Sequence, residues 1–142
     1  MPTMPKIGVR LPASFESAGE FLADVQSLES AGADLLLLGD GDLDPNLLLA
    51  AIAAVTGRVQ LHHADAGETL RRLARDRLID RLEGWLEVEF PADRTAWRAA
   101  LAEAEENAAP GVILAMDPRL LDLLRNPDVE DDRAPDLQLA QG

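Results

Sequence analysis

A run of four leucines between two glycines constrains the fold of this chain more than any other feature. Residues 34–38 end in Leu-Leu-Leu-Leu, with Gly32 before them and Gly39 directly after. A strand without polar alternation is typical of a parallel sheet that is covered on both faces. Gly32 is a natural helix stop, and Asp44-Pro45 is a common helix start. Segment 29–61 therefore predicts a strand, a helix and a further strand.

Strand and helix signals alternate along the rest of the chain. The predicted strands are residues 6–11, 34–38, 59–61, 85–90 and 111–115. The predicted helices run from Ser14 or Ser17 to residue 30, and over residues 45–55, 66–83, 94–107 and 118–125. In the third helix, Leu70, Leu73, Leu78, Ile79 and Leu82 are predicted to face inward. This alternation predicts an α/β domain with a parallel sheet of about five strands.

The C-terminal end of the sequence has a different composition. Residues 1–125 form the predicted domain, whereas residues 126–142 are polar and acidic and are predicted to be a mobile tail. Leu137 and Leu139 alternate with Gln138, so this part of the tail could supply an edge strand or fray.

Composition excludes several classes of partner. The 142 residues suffice for one domain, and their net charge of −13 argues against nucleic acid and anionic lipid. The absence of cysteine excludes disulfides and thiolate metal sites. No signal peptide is recognisable and no apolar run approaches the ~20 residues of a membrane span, so we expect a cytoplasmic protein without membrane contact.

Candidate functional residues gather where the predicted strands end, which is where parallel α/β folds bind ligands. They are Pro12, Asp40, Asp42, Asp44, His62, His63, Asp65, Pro91 and Asp117. One hypothesis makes Asp40 or Asp117 an acid/base partner, with His62 or His63 as proton shuttle or ring-facing group. In the alternative, the aspartates other than Asp40 cap helices. Because adjacent strand residues face opposite ways, at most one histidine could join Asp40, so we predict no metal site.

Two further groups of residues allow a binding and a structural interpretation. Five arginines share one predicted helix: Arg71, Arg72, Arg75, Arg77 and Arg81. They could clamp a phosphate or a carboxylate, or they could form ion pairs with Glu68, Asp76 and Asp80. Trp85 and Trp97 could stack on a ligand or belong to the core or an interface.

Three stretches resemble the luciferase-like flavin-dependent oxidoreductases, which are TIM barrels. They are residues 6–12, segment 29–61, and residues 73–84, which read L-A-R-D-R-L-I-D-R-L-E-G. The chain then continues with something like the closing segment of the family, a helix containing A-E-A and a G-V-I-L strand. The resemblance spans the larger part of this chain but only part of a full barrel. It implies a truncated, TIM-barrel-like domain.

The resemblance also implies a chemistry. The family carries FMN or a deazaflavin across the C-terminal mouth of the barrel. This chain would then transfer a hydride to or from a small organic substrate, with Asp40 and His62 or His63 near the ring. Gly39 and Gly41, which flank Asp40, would belong to the cofactor site together with Pro12 and Asp117.

The same motifs allow a second interpretation. The family often has G-D-H after the second strand, where this chain has Gly39-Asp40-Gly41. It usually has L-G-T after the third strand, where this chain has Leu61-His62-His63, and the family's phosphate-binding loops have no counterpart here. The alternative is therefore a degenerate, non-catalytic relative that has lost the cofactor and acts as a binding or accessory subunit.

An abbreviated barrel has a predicted consequence for assembly. Five parallel strands cannot close a barrel of eight, so an edge with unpaired backbone groups has to be covered. The sheet could open into an α/β sandwich, or two chains could meet. We therefore expect a homodimer, or assembly with a full-length relative of the family.

Overall fold

The computed structural model describes residues 4–129 and has an α/β architecture. Residues 1–3 and 130–142 lie outside the described residues, and the alternating segment around Gln138 belongs to the second of these ranges. The strands of the described part are β1 Lys6–Leu11, β2 Leu35–Leu38, β3 Gln60–His62, β4 Leu78–Ile79, β5 Leu86–Glu87 and β6 Gly111–Ala115. Its α-helices are α1 Ala18–Ala31, α2 Pro45–Val55, α3 Glu68–Ala74, α4 Arg94–Glu106 and α5 Leu120–Arg125.

Local sequence signals explain where the longer helices begin. Ser17, Asp44 and Asp93 precede α1, α2 and α4, and the side-chain oxygen of each accepts a hydrogen bond from the N–H three residues further on. These bonds satisfy backbone donors that have no partner within the helix. Gly32 ends α1 in the left-handed conformation, with φ of 112°. Ser17 is thus the cap, and the predicted roles of Asp44 and Gly32 are confirmed.

The six strands form one parallel sheet in the order β4-β3-β2-β1-β6-β5. All five helices contribute to a single core on one face of the sheet, where they meet strand residues such as Val9, Leu36 and Leu114. The other face carries a smaller cluster of Leu35, Leu37 and Ile113, which receives no residue from a helix. The predicted parallel α/β fold is confirmed, but the described sheet has six strands where about five were predicted.

The second face of the sheet is covered by the link between β4 and β5, residues 80–85, which we call the strap. Leu82 and Trp85 of the strap pack on the small cluster. The Trp85 ring lies over Gly111 and Gly8, because a Cβ atom at these glycines would lie 2.5 Å and 3.4 Å from its Cζ3 atom. Glycine at these two positions therefore makes room for the ring.

The length of the strap requires a curved sheet. Strands β4 and β5 form opposite edges, which would lie ~24 Å apart in a flat six-stranded sheet. The seven peptide steps from Ile79 to Leu86 also reach ~24 Å at full extension, yet the strap contains a turn in which Trp85 N–H donates to the Leu82 carbonyl (3.3 Å). The two edges must therefore lie closer together than in a flat sheet.

The prediction of one long helix over residues 66–83 was wrong. Helix α3 ends at Ala74, a short 3-10 turn follows, and Leu78–Ile79 forms strand β4. Arg77 explains the change of direction, because its guanidinium donates to the carbonyls of Ala53 (2.8 Å) and Val59 (3.3 Å) near the C-terminal end of α2. Leu73, predicted to face inward, is 51% exposed. The predicted strand 85–90 is likewise reduced to Leu86–Glu87.

Two arginines of the predicted basic cluster form ion pairs with carboxylates that the structural interpretation named. Arg71 contacts Asp80 at 2.8 Å, and Arg72 contacts Glu68 one helical turn away at 2.9 Å. Trp97 is 1% exposed and belongs to the core. No helix within residues 4–129 has the length and apolar character needed to cross a bilayer.

A single carboxylate joins the end of α1 to the start of β3. Glu29 accepts hydrogen bonds from the backbone N–H groups of Gly57, Arg58 and Val59. The Arg58 guanidinium in turn donates to the Glu29 carbonyl at 2.7 Å. Burial raises the pKa of the Glu29 carboxyl, but the three N–H donors and the Arg58 charge outweigh this effect and lower it.

Candidate functional site

A cleft of about 280 Å³ lies where β1, β2 and β6 end, and we call it the carboxyl-end cleft. It is lined by Arg10, Leu11, Pro12, Gly39, Asp40, Ala115 and Met116. Of the residues predicted for a site, Pro12, Gly39 and Asp40 thus lie together. They do so because the carboxyl ends of neighbouring parallel strands share one edge of the sheet.

The loops after β1 and β2 are held together by backbone hydrogen bonds. Gly39 N–H donates to the Leu11 carbonyl at 2.7 Å, and Ala13 N–H donates to the Asp40 carbonyl at 3.1 Å. Gly41 passes so close to Ala13 that a Cβ atom would lie 2.2 Å from its carbonyl oxygen. Gly41 therefore has a structural role, which is to let these two loops meet.

Arg10 and Glu87 form the main charged pair beside the cleft. The Arg10 side chain lies against Gly39, where a Cβ atom would be 3.0 Å from the arginine Cδ. Its two terminal nitrogens donate to both carboxylate oxygens of Glu87, at 2.7 and 2.9 Å. These hydrogen bonds raise the pKa of Arg10 and lower that of Glu87, against an opposing effect of burial on each.

Sequence reasoning did not single out Arg10 and Glu87 as site residues. One signal for Glu87 is the alternation in residues 85–90, Trp-Leu-Glu-Val-Glu-Phe, which places it on the face opposite Leu86. Arg10 lies one residue before the end of β1, and Arg10 and Glu87 pair with Ala115 and Ile113 of the same neighbouring strand, β6. Only the strand order, with β6 between β1 and β5, brings their charges together.

The two histidines do not line the carboxyl-end cleft. The His62 Nδ1 atom lies 2.9 Å from the Ile79 carbonyl, which anchors the ring to the neighbouring strand β4. Asp80 follows this strand, and its pKa is lowered first by the hydrogen bond from Arg71 and to a smaller extent by the nearby His62. His63 is half-buried, and its side chain has no hydrogen-bond partner within residues 4–129.

Asp117 also lies outside the lining of the cleft. Its carboxylate accepts from the Arg119 guanidinium at 2.9 and 3.1 Å and from the Arg119 backbone N–H at 2.8 Å. The side-chain hydrogen bond of Arg119 is the main reason that the pKa of Asp117 is lowered. The same guanidinium lies 4.5 Å above the centre of the Phe90 ring. Asp117 thus belongs to a neighbouring surface with Arg119.

The residues at this end of the sheet do not fit a flavin phosphate. Arg10, Arg71 and Arg119 are each paired with a carboxylate of this chain. Gly39 and Gly41 are taken up by close contacts with Arg10 and Ala13 and form no phosphate-binding loop. The cleft volume also lies just below the ~300–1,000 Å³ of typical small-molecule pockets.

Neither comparison with known proteins nor a search for metal-binding groups assigns a function to this site. Searches against family models, curated proteins and solved structures find no match to this chain. Within residues 4–129, no group of three or more His, Asp or Glu side chains could hold a metal ion. The class that fold and site define is thus an α/β protein with an all-parallel sheet and a small charged cleft at the carboxyl ends of its strands.

Proposed function

We propose that this chain is a shortened, TIM-barrel-like protein that acts as a binding or accessory subunit without a flavin. The strand order supports the barrel-like part of this proposal. Across the sheet, β2, β3 and β4 follow on one side of β1, and β6 and β5 follow on the other. Joining the two edge strands, β4 and β5, would give the sequential strand order of a β/α barrel. The helices on one face and the curvature that the strap requires agree with this view.

The pairing of Arg10, Arg71 and Arg119 with carboxylates of this chain carries the non-catalytic part of the proposal. A flavin phosphate would have to replace an existing carboxylate partner at Arg10, Arg71 or Arg119, in a protein with a net charge of −13. Both the competition and the overall potential oppose an anionic cofactor. The flavin-dependent oxidoreductase implied by the resemblance, with Asp40 and a histidine at the ring, stays a prediction.

A titration with FMN, FAD and the deazaflavin cofactor tests the two interpretations together. We expect no saturable change in cofactor fluorescence and no rise in Tm at micromolar cofactor, because Arg10, Arg71 and Arg119 already bind carboxylates of this chain. A known flavoprotein measured alongside provides the positive control. Micromolar binding that also raises Tm would overturn the proposal and favour the oxidoreductase.

A homodimer or a full-length relative stays the predicted partner. The edge strands β4 and β5 contain only two residues each, so they offer few unpaired backbone groups to another chain. We therefore expect contact through helix or loop surfaces. Light scattering across a concentration series measures the self-association directly.

A further inference from the structure

The carboxyl-end cleft combines charged side chains of both signs with apolar ones. Arg10 and Asp40 line it together with Pro12, Ala115 and Met116. Asp40 is exposed, and its charge contributes to raising the pKa of Arg10 after the larger effects of Glu87 and burial, which places the two charges within electrostatic reach. The cleft therefore offers a cation, an anion and apolar side chains in one lining.

Glu87 shows what the Arg10 guanidinium can bind. Its carboxylate takes two parallel hydrogen bonds, the geometry in which arginine recognises free carboxylates. The Glu87 side chain is 63% exposed, and its strand β5 is a two-residue edge strand. An exposed ion pair contributes little net stability, so a ligand carboxylate can take the place of Glu87 without unfolding the domain.

Net charge decides between classes of ligand. The chain carries a formal charge of −13, which repels phosphates and simple carboxylates before they reach the cleft. A zwitterion has no net charge and places an opposite charge beside each of the two cleft residues. Its own ammonium group would lie near Asp40 while its carboxylate binds Arg10.

We propose that the carboxyl-end cleft binds a small zwitterionic amino acid. The ligand carboxylate exchanges with Glu87 on the Arg10 guanidinium, its ammonium group faces Asp40, and an aliphatic side chain packs on Pro12 and Met116. The inference rests on the proposed function as a binding protein and gives that function a ligand class. It involves no covalent step.

Three related probes separate the contributions of the two charges. L-Leucine carries both charges, 4-methylpentanoate lacks the ammonium group, and 3-methylbutylamine lacks the carboxylate. In ¹H–¹⁵N NMR titrations we expect L-leucine to shift the amide signals of Gly39, Asp40 and Ala115 saturably, and each single-charge probe to bind about tenfold more weakly. Equal binding of all three probes, or no binding of L-leucine up to its solubility, would overturn the inference.

Substitutions at the charged pair locate the site. Arg10→Lys keeps the charge but loses the two-pronged geometry, so L-leucine should bind about tenfold more weakly. Glu87→Gln removes the internal competitor and should tighten binding severalfold. Arg72→Lys is the matched control, because Arg72 forms an Arg–Glu pair on the exposed surface of α3. Equal affinities for the Arg10→Lys and Arg72→Lys proteins, with both folded by circular dichroism, would contradict the assignment.

The L-leucine titration and the flavin titration test different claims. A protein that binds neither L-leucine nor flavin would overturn the amino acid inference and leave the proposed function in place. A protein that binds flavin at micromolar concentration would overturn the proposed function itself.

Discussion

Replacing Gly111 with alanine is expected to lower the free energy of unfolding by about 3 kcal/mol. A Cβ atom at this position would lie 2.3 Å from the Lys6 carbonyl oxygen and 2.5 Å from the Trp85 ring. The Lys6 carbonyl belongs to β1, which pairs with β6 at this very position. To relieve these two clashes, both the β1–β6 strand pair and the strap would have to shift, and a close-packed interior resists such a shift.

Urea unfolding followed by tryptophan fluorescence measures this effect. Gly19→Ala provides the control, because a Cβ atom at Gly19 in α1 meets no atom within 4 Å. An alanine in that helix should instead stabilise the protein by about 0.5–1 kcal/mol. If both alanine variants were as stable as the parent protein, the Trp85 ring and the Lys6 carbonyl could not lie against Gly111 as described.

Replacing Glu29 with alanine is expected to cost about 2 kcal/mol at neutral pH. The substitution removes a charged acceptor from three consecutive backbone N–H groups at the start of β3. Val59, one of the three donors, is fully buried, so its N–H is the hardest to hydrate in the variant. Glu16→Ala is the control, because Glu16 is exposed and its carboxylate has no partner within residues 4–129; it should stay within about 0.5 kcal/mol of the parent.

The same carboxylate predicts a defined acid sensitivity. The pKa of Glu29 is lower in the folded protein than the ~4.3 of an unfolded chain. Its contribution is therefore complete above that unfolded value and is lost as the pH falls through the folded pKa. Glu29→Gln should flatten the loss of stability below pH ~4.3, whereas Glu16→Gln should not. Parallel pH profiles for the two variants would contradict the role of Glu29.

The sequence predicts the parts of the fold in which hydrophobic pattern and local caps agree. Such cases are the four leucines of β2, the apolar runs of β1 and β6, and the capping residues Ser17 and Asp44. The region after Ala74 is different. Leu78, Ile79 and Leu82 have helical spacing, but Arg77 donates to the carbonyl of Ala53 in α2 and to that of Val59 just beyond it, where the chain turns into a strand. No local pattern reveals this contact.

The residues of the candidate site likewise divide into those that the sequence predicts and those that it does not. Pro12, Gly39 and Asp40 lie together because they follow adjacent parallel strands, which the βα alternation predicts. His62 instead contacts the Ile79 carbonyl on the neighbouring strand, and Asp117 contacts Arg119 two residues further on; no periodicity indicates these partners. Arg10 and Glu87 were missed because they come from distant parts of the sequence and meet only through the strand order.

The position of β6 between β1 and β5 also bears on how the chain folds during synthesis. Strand β1 leaves the ribosome long before its partner β6, so one side of β1 stays without its native neighbour until β6 has been made. Contacts between such distant segments slow folding and leave an apolar strand edge open to other chains in the meantime. Residues 6–79 should therefore be prone to aggregate as a nascent fragment, and the domain should gain its stability in one late, cooperative step.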